Sequence, residues 1–286
     1  MKILVTGANG QLGKCFADLT AGPDGAGEKW HLLGREHFAI DQYAMVEEVL
    51  KELKPDWVIN AAAYTAVDKA ESEPAVAMLM NGEAVGHLAA VCARLNIGLV
   101  HVSTDYVFDG RGTRPYLPTD AVGPTGVYGK SKLSGEQLVQ HHHPGAFIVR
   151  TSWVYSQHGH NFVKTMLRLM ADRTELNVVN DQVGCPTYAP DLAAALLQVC
   201  RTATAAPGVY HFCNSGAISW FQFATSIAAM IGSDCQVKPI ATSQYPTPAA
   251  RPPYSVLDTS SFSQTFHWPM QPWQDRLRVC LHHLGY

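Results

Sequence analysis

Tyr128 and Lys132 stand four residues apart in Tyr128-Gly129-Lys130-Ser131-Lys132. On a helix this spacing puts both side chains on one face, about 6 Å apart along the axis. An ammonium beside a phenol favours the phenolate and draws the tyrosine pKa down from about 10. Such a phenol can give a proton to a carbonyl oxygen as hydride reaches its carbon, or remove it in reverse. Alone, the pair is an ordinary helix-surface contact, and its meaning depends on what lies upstream. His101-Val102-Ser103-Thr104-Asp105-Tyr106 closes an apolar run. A Ser103 or Thr104 hydroxyl at the carboxyl end of a strand can hydrogen-bond a reacting oxygen as charge develops on it. A hydroxyl there can equally cap its own backbone; the downstream Tyr/Lys pair favours the chemical reading.

A third chemical signal opens the chain. Gly7-Ala8-Asn9-Gly10-Gln11-Leu12-Gly13 follows an apolar run and leads into a helical pattern. Gly7 suits a tight turn, Gly10 allows close approach to a pyrophosphate, and Gly13 permits close helix packing. The free N–H groups of the helix start then face the anion. The strand–turn–helix context raises this triplet above a chance Gly-rich turn and predicts a dinucleotide site. The next apolar run ends His31-Leu32-Leu33-Gly34-Arg35-Glu36. Arg35 suits a ribose 2′-phosphate, so the expected cofactor is NADPH, with NADH as the variant. Arg35 is alternatively a solvated loop residue paired with Glu36. Asp41 and Gln42 are candidates for the adenine side, and Asp41 also reads as a helix N-cap.

These groups need a frame. Ile3–Thr6, Trp30–Leu33, Trp57–Asn60, Leu99–Ser103 and Phe147–Thr151 read as short strands, apolar on both faces. Helical patterns lie between them: from Gln11 to Leu19, from the cap at Asp41 to Leu53, from Glu73-Pro74 to about Arg94, and from Tyr128 to about Gln140. The alternation predicts an α/β fold, a Rossmann-type doubly wound parallel sheet over residues 1–151. Residues 152–286 change rhythm, with irregular stretches at 182–190 and 242–253 that together are rich in Pro, Gly, Thr and Ser, the glycine lying in the first. They are expected to form a smaller C-terminal substrate-binding lobe, partly interleaved with the first domain.

Composition narrows the partners. Of 286 residues, 47% are hydrophobic and 16% charged, below the usual charged share of about 25%, which excludes a disordered chain. A net charge of −3 without a Lys/Arg run offers no field for nucleic acid. The N-terminal apolar run is too short for a signal peptide, and no stretch reads as a membrane span, so a cytoplasmic address is expected. The seven scattered cysteines lack any Cys-x-x-Cys pair and read as free, buried thiols. His141-His142-His143 cannot converge on one ion, so it reads as a solvated helix end, and no metal site is expected. His101 reads as a core histidine with satisfied nitrogens. Trp220, Phe221 and Phe223 read as packing of a second-lobe helix.

The glycine triplet, strand-end Ser/Thr and Tyr-x-x-x-Lys together resemble the extended short-chain dehydrogenase/reductases. Asn60–Glu71, Ser103–Gly110, Arg150–Tyr155, Asn161–Met166 and Pro246–Arg251 sharpen this to a resemblance to the dTDP-4-dehydrorhamnose reductase family, over essentially the whole chain. The resemblance implies NAD(P)H-dependent reduction of the C4 ketone of a dTDP-4-dehydro-6-deoxysugar. It implies Tyr128 as proton donor, Lys132 as its tuner and ribose anchor, and Thr104 as the group orienting the ketone oxygen. Gly10, Gln11 and Leu12 would cradle the pyrophosphate, and Ala62, Ala63, Tyr64, Thr65 and Val102 would line the cofactor path. Val67, Asp105, Trp153 and Arg251 would meet the substrate. Related sugar-nucleotide dehydratases carry Asp-Glu after the strand-end Thr, whereas Tyr106 follows Asp105 here, so simple reduction fits better than elimination. The family also implies a possible homodimer. Two other readings stay open: a reductase or epimerase of another 4-keto nucleotide sugar, and a non-catalytic dinucleotide-binding regulatory subunit.

Overall fold

Ile3 and Val5 face one side of the first strand and Leu4 the other, and none of the three has exposed surface. A strand that alternates apolar side chains onto both faces has to be covered on both. The computed structural model, which describes residues 1–202 and 204–286, shows this double cover. β1 (Lys2–Thr6) leads into α1 (Gln11–Ala21), β2 (Lys29–Leu33), α2 (Tyr43–Leu53) and β3 (Trp57–Asn60). α3 (Val67–Ala70), α4 (Pro74–Met78) and α5 (Ala84–Arg94) follow, then β4 (Gly98–Thr104), α6 (Val127–His142) and β5 (Phe147–Thr151). One apolar layer joins Ile3, Val5, Phe16, Val100 and Val149; the opposite one joins Leu4, Val46, Leu50, Val58, Leu88, Leu99 and Ile148.

The second half supplies β6 (Val154–Tyr155), α7 (Phe162–Asp172), β7 (Glu175–Val179), β8 (Val183–Gly184), β9 (Thr187–Tyr188) and α8 (Ala189–Arg201). β10 (Gly208–His211), β11 (Ile218–Ser219), α9 (Trp220–Ile231), β12 (Gln236–Ile240), α10 (Ser260–Phe266) and α11 (Trp273–His283) complete it. The main sheet has six parallel strands in the order β10-β5-β4-β3-β1-β2. Three elements from beyond residue 151 belong to this layer: β10 pairs with β5, α8 packs on α1, and α10 packs Phe262 and Phe266 on β10. The remainder forms a lobe with its own core of Tyr155, Val163, Met166, Phe223, Ile227, Trp273 and Leu277. Phe223 is buried there, as its sequence context suggested. The cysteines are free, and all seven are buried.

Three expectations need correction. Asp41 does not cap α2: Gln42 occupies the cap position without a side-chain cap bond, and Asp41 accepts from Arg35 Nη2 at 2.7 Å. The charge partner outbids the orphan N–H groups. Arg35 is likewise not paired with Glu36, which accepts from Asn9 Nδ2. The run Pro74–Arg94 is, by length and composition, long and apolar enough to cross a membrane, contrary to the sequence reading. Its inward side packs on α6 and β4, and Val85, Leu88, Ala89 and Cys92 are buried. The run is interrupted by a π turn at Leu79–Glu83, a feature that often marks functional positions.

Candidate active site

The strand order reverses direction between β1 and β3, and a cleft of about 680 Å³ opens at the carboxyl ends of the strands there. Ligands of open α/β sheets bind at this switch point. The glycine turn forms one wall. Gly7 takes a φ of +68°, the left-handed region that suits glycine. A Cβ on Gly13 would lie 2.4 Å from the Gly7 carbonyl oxygen and 2.5 Å from Ala8, so any side chain there would push the helix off the turn. Gly10 ends the turn, and α1 begins at Gln11 with its free N–H groups facing the cleft. The turn is tied to the sheet by the Ala8 N–H, which donates to the Leu33 carbonyl. These features fit a pyrophosphate.

Arg35 and Asp41 line the same cleft, as do Ala62, Ala63, Thr65 and Val67, with the Ala62 backbone packed against Gly7. Val102, Thr104, Asp105, Tyr128, Lys132 and Trp153 close the inner end. The structure therefore brings together most of the residues singled out in the sequence. Three lie elsewhere. Gln42 sits at the start of α2. The Tyr64 side chain donates to Glu73 Oε2 at 2.9 Å, and its backbone N–H and carbonyl are both bound by Asn81 of the π turn. Arg251 donates to Asp68 Oδ2 at 2.8 Å, which ties the 249–251 loop to α3.

The inner end has a distinct electrostatic character. The phenol of Tyr128 is pushed up to about 12 by burial, with Asp105 adding to the rise and a hydrogen bond with Thr104 opposing it. This corrects the expectation of a lowered tyrosine: Lys132 instead points its Nζ at the Val102 carbonyl, 2.7 Å away. Burial brings Lys132 down to about 8, with Glu136 working against it. Asp105 is raised to about 6 by burial, partly offset by bonds from Ser255 and Thr104. Its Oδ1 accepts from Thr104 Oγ1 at 3.0 Å, while its buried Oδ2 has no partner among the described residues. Ser103 is spent elsewhere: its hydroxyl donates to Glu136 Oε1 at 2.5 Å. Glu136 also takes Arg150 Nε at 2.9 Å and Nη2 at 2.6 Å, a buried ion pair that backs the end of β4.

Two supporting roles, those of Trp220 and Asn81, were not foreseen in the sequence. Trp153 takes a φ of +47°, an uncommon backbone for an aromatic residue. Its ring stacks on Trp220 at 3.4 Å between centroids, so Trp220 buttresses the cleft wall rather than simply filling the lobe core. Asn81 joins Tyr64 to Ser131 and so ties the cleft floor to α6. No local motif announces either role; both depend on contacts between distant segments.

A six-stranded parallel sheet with a glycine cradle at its switch point, and with Thr, Tyr and Lys gathered beyond β4, defines a dinucleotide-binding protein of the short-chain dehydrogenase/reductase class. The family model described as "RmlD substrate binding domain" matches residues 1–285, and the chain belongs to that family. A dTDP-4-dehydrorhamnose reductase of Sinorhizobium fredii is 41% identical over 97% of this chain and 96% of its own length. The crystal structure of a dTDP-4-dehydrorhamnose reductase from Clostridium acetobutylicum superposes with a TM-score of 0.95 at 39% identity, covering 100% of both chains. The corresponding enzyme from Bacillus anthracis, solved in complex with NADP, superposes with a TM-score of 0.93 at 36% identity, covering 99% of each chain.

Proposed function

We propose that this protein reduces the C4 ketone of dTDP-4-dehydro-β-L-rhamnose to dTDP-β-L-rhamnose, with NADPH as the hydride donor. The observation that carries the reading is the convergence of Thr104, Tyr128 and Lys132 at the inner end of a cleft whose other end is a glycine cradle. The cofactor supplies hydride; the chain positions the ketone and delivers the proton. The Gly7–Gly13 turn and the start of α1 hold the pyrophosphate. Arg35, whose side chain is 67% exposed, is free to leave Asp41 for a 2′-phosphate.

Tyr128 enters as a protonated phenol, because burial keeps its hydrogen on. The ketone oxygen meets the Tyr128 hydroxyl, and the Thr104 hydroxyl beside it becomes the second donor by turning its hydrogen away from Asp105 Oδ1. As negative charge gathers on that oxygen, the phenol passes its proton across, and a nearby ammonium on Lys132 then favours the phenolate left behind. Asp105 lines the cleft, and its Oδ2, without a partner among the described residues, is the acceptor a sugar hydroxyl would meet once the side chain turns out of its buried position. The stacked Trp153 and Trp220 make a flat apolar wall of the kind a sugar face packs on. We assign the sugar-facing surfaces mainly to residues 152–286 and the dinucleotide surfaces to residues 1–151.

The test is Tyr128→Phe, assayed by the fall in NADPH absorbance with dTDP-4-dehydrorhamnose. The expected loss of turnover is about 10²–10⁴-fold, with NADPH binding retained. Full activity of Tyr128→Phe would refute the assignment. A panel of other 4-keto nucleotide sugars distinguishes this substrate from its stereoisomers. A protein that binds NADPH but oxidises it with none of them would be a regulatory subunit.

A further inference from the structure

Beneath the cleft, a line of buried polar side chains runs from the glycine-turn wall to Lys132. The sheet register builds it, because Thr6, Asn60 and His101 are direct partners on the adjacent strands β1, β3 and β4. All three are buried. The Ala62 N–H donates to Thr6 Oγ1 at 3.0 Å, and Thr6 Oγ1 lies 2.6 Å from Asn60 Oδ1. Asn60 Nδ2 is 3.0 Å from His101 Nδ1, and His101 Nε2 is 3.3 Å from Lys132 Nζ.

The hydrogen directions follow from the placement of the Asn60 amide. Thr6 Oγ1 accepts from the Ala62 N–H and sends its own hydrogen to the amide oxygen. The amide oxygen faces Thr6 and the NH₂ faces His101. Nδ1 of His101 must accept. Burial, the larger cause, keeps the ring neutral, which leaves its single hydrogen on Nε2, aimed at Lys132. An N–H can meet the lone pair of a free amine; it cannot pair with an ammonium, which has donors only.

We propose that Thr6, Asn60 and His101 are positioning residues that favour the free-amine form of Lys132 over its ammonium in the cofactor-free protein. Its lone pair rests on His101 Nε2–H, and one of its own hydrogens rests on the Val102 carbonyl. Taking up a proton costs Lys132 its bond to His101 and turns it toward the cleft, where Tyr128 stands. Protonation thus selects between two arrangements of the lysine. Its titratable and charged neighbours are His101 on β4 and Tyr128 and Glu136 on α6. Glu136 favours the ammonium but is already spent on Ser103 and Arg150. Burial of Lys132 acts in the same direction as the proposed chain.

The consequence for catalysis rests on the reductase reading, but the test does not. Nitrogen-15 NMR of the cofactor-free protein reports which ring nitrogen of His101 carries hydrogen. The expected result is Nε2–H. Thr6→Val keeps the shape and removes the hydroxyl, freeing the Asn60 amide to turn. The ring should then switch to Nδ1–H, and the Lys132 titration, followed at its ε-carbon, should move up by about one pH unit. Wild-type His101 with its hydrogen on Nδ1 overturns the proposal, whether or not the variant folds. A folded Thr6→Val protein with both signals unchanged overturns it too. A protein with the Nε2–H form but no ketone reduction would retain the proposal and lose the reductase reading.

Discussion

Replacing Asp105 with asparagine should make the protein more stable and less active. The carboxyl is 2% exposed, and burial lifts its pKa from 3.8 to about 6. At about 1.36 kcal/mol per pH unit, that rise means ionised Asp105 costs roughly 3 kcal/mol of folding free energy. The folded protein holds this proton more tightly than the unfolded chain does. Stability is therefore greatest below the unfolded value of 3.8, falls as pH rises through about 6, and levels off above it. Asparagine keeps the acceptor for Thr104 and removes the charge. At pH 8 Asp105→Asn should gain about 3 kcal/mol, or roughly 5–10 °C in Tm for a chain of this size. At pH 5 the gain should be about half as large, because the wild-type carboxyl is then mostly protonated. Thermal melts at both values test this. Losing a charged acceptor for a sugar hydroxyl should meanwhile lower kcat/KM about 10–100-fold. A lower Tm at pH 8, or a gain that does not change with pH, would refute the reasoning; full activity would remove Asp105 from the substrate contacts.

Glu136→Gln strands the buried guanidinium of Arg150, so urea denaturation should show a loss of about 3–5 kcal/mol; a loss near zero would mean that water reaches the pair. Arg35→Ala should weaken NADPH binding by about tenfold and leave NADH binding unchanged, as read by fluorescence titration. Equal effects on both cofactors would place Arg35 away from the 2′-phosphate.

Much of the frame was legible because it depends on local pattern. The doubly apolar strands β1 and β5, the turn from Gly7 to Gly13, and the four-residue spacing of Tyr128 and Lys132 are short-range signals. What escaped depends on partners distant in the chain. Asp41 has the right identity for a cap, yet the Arg35 guanidinium claims it. Lys132 has the right spacing to depress Tyr128, yet the Val102 carbonyl holds its nitrogen and burial drives the phenol the other way. Trp220 looks like any core aromatic until its ring is seen against Trp153. The apolar run Pro74–Arg94 gives no warning of the π turn that lets Asn81 reach both Tyr64 and Ser131.

The placement of β10 at the edge of the main sheet bears on how the chain comes into being. During synthesis the first five strands emerge by residue 151, with the outer edge of β5 carrying unpaired N–H and C=O groups. That edge stays open until some sixty further residues have left the ribosome and Gly208–His211 can dock along Phe147–Arg150. Throughout this interval the nascent protein presents a bare, apolar strand to its surroundings, the condition under which chaperones engage and aggregation begins. A truncation at residue 151 would keep every glycine of the cradle together with Tyr128 and Lys132. It would also make that transient edge permanent.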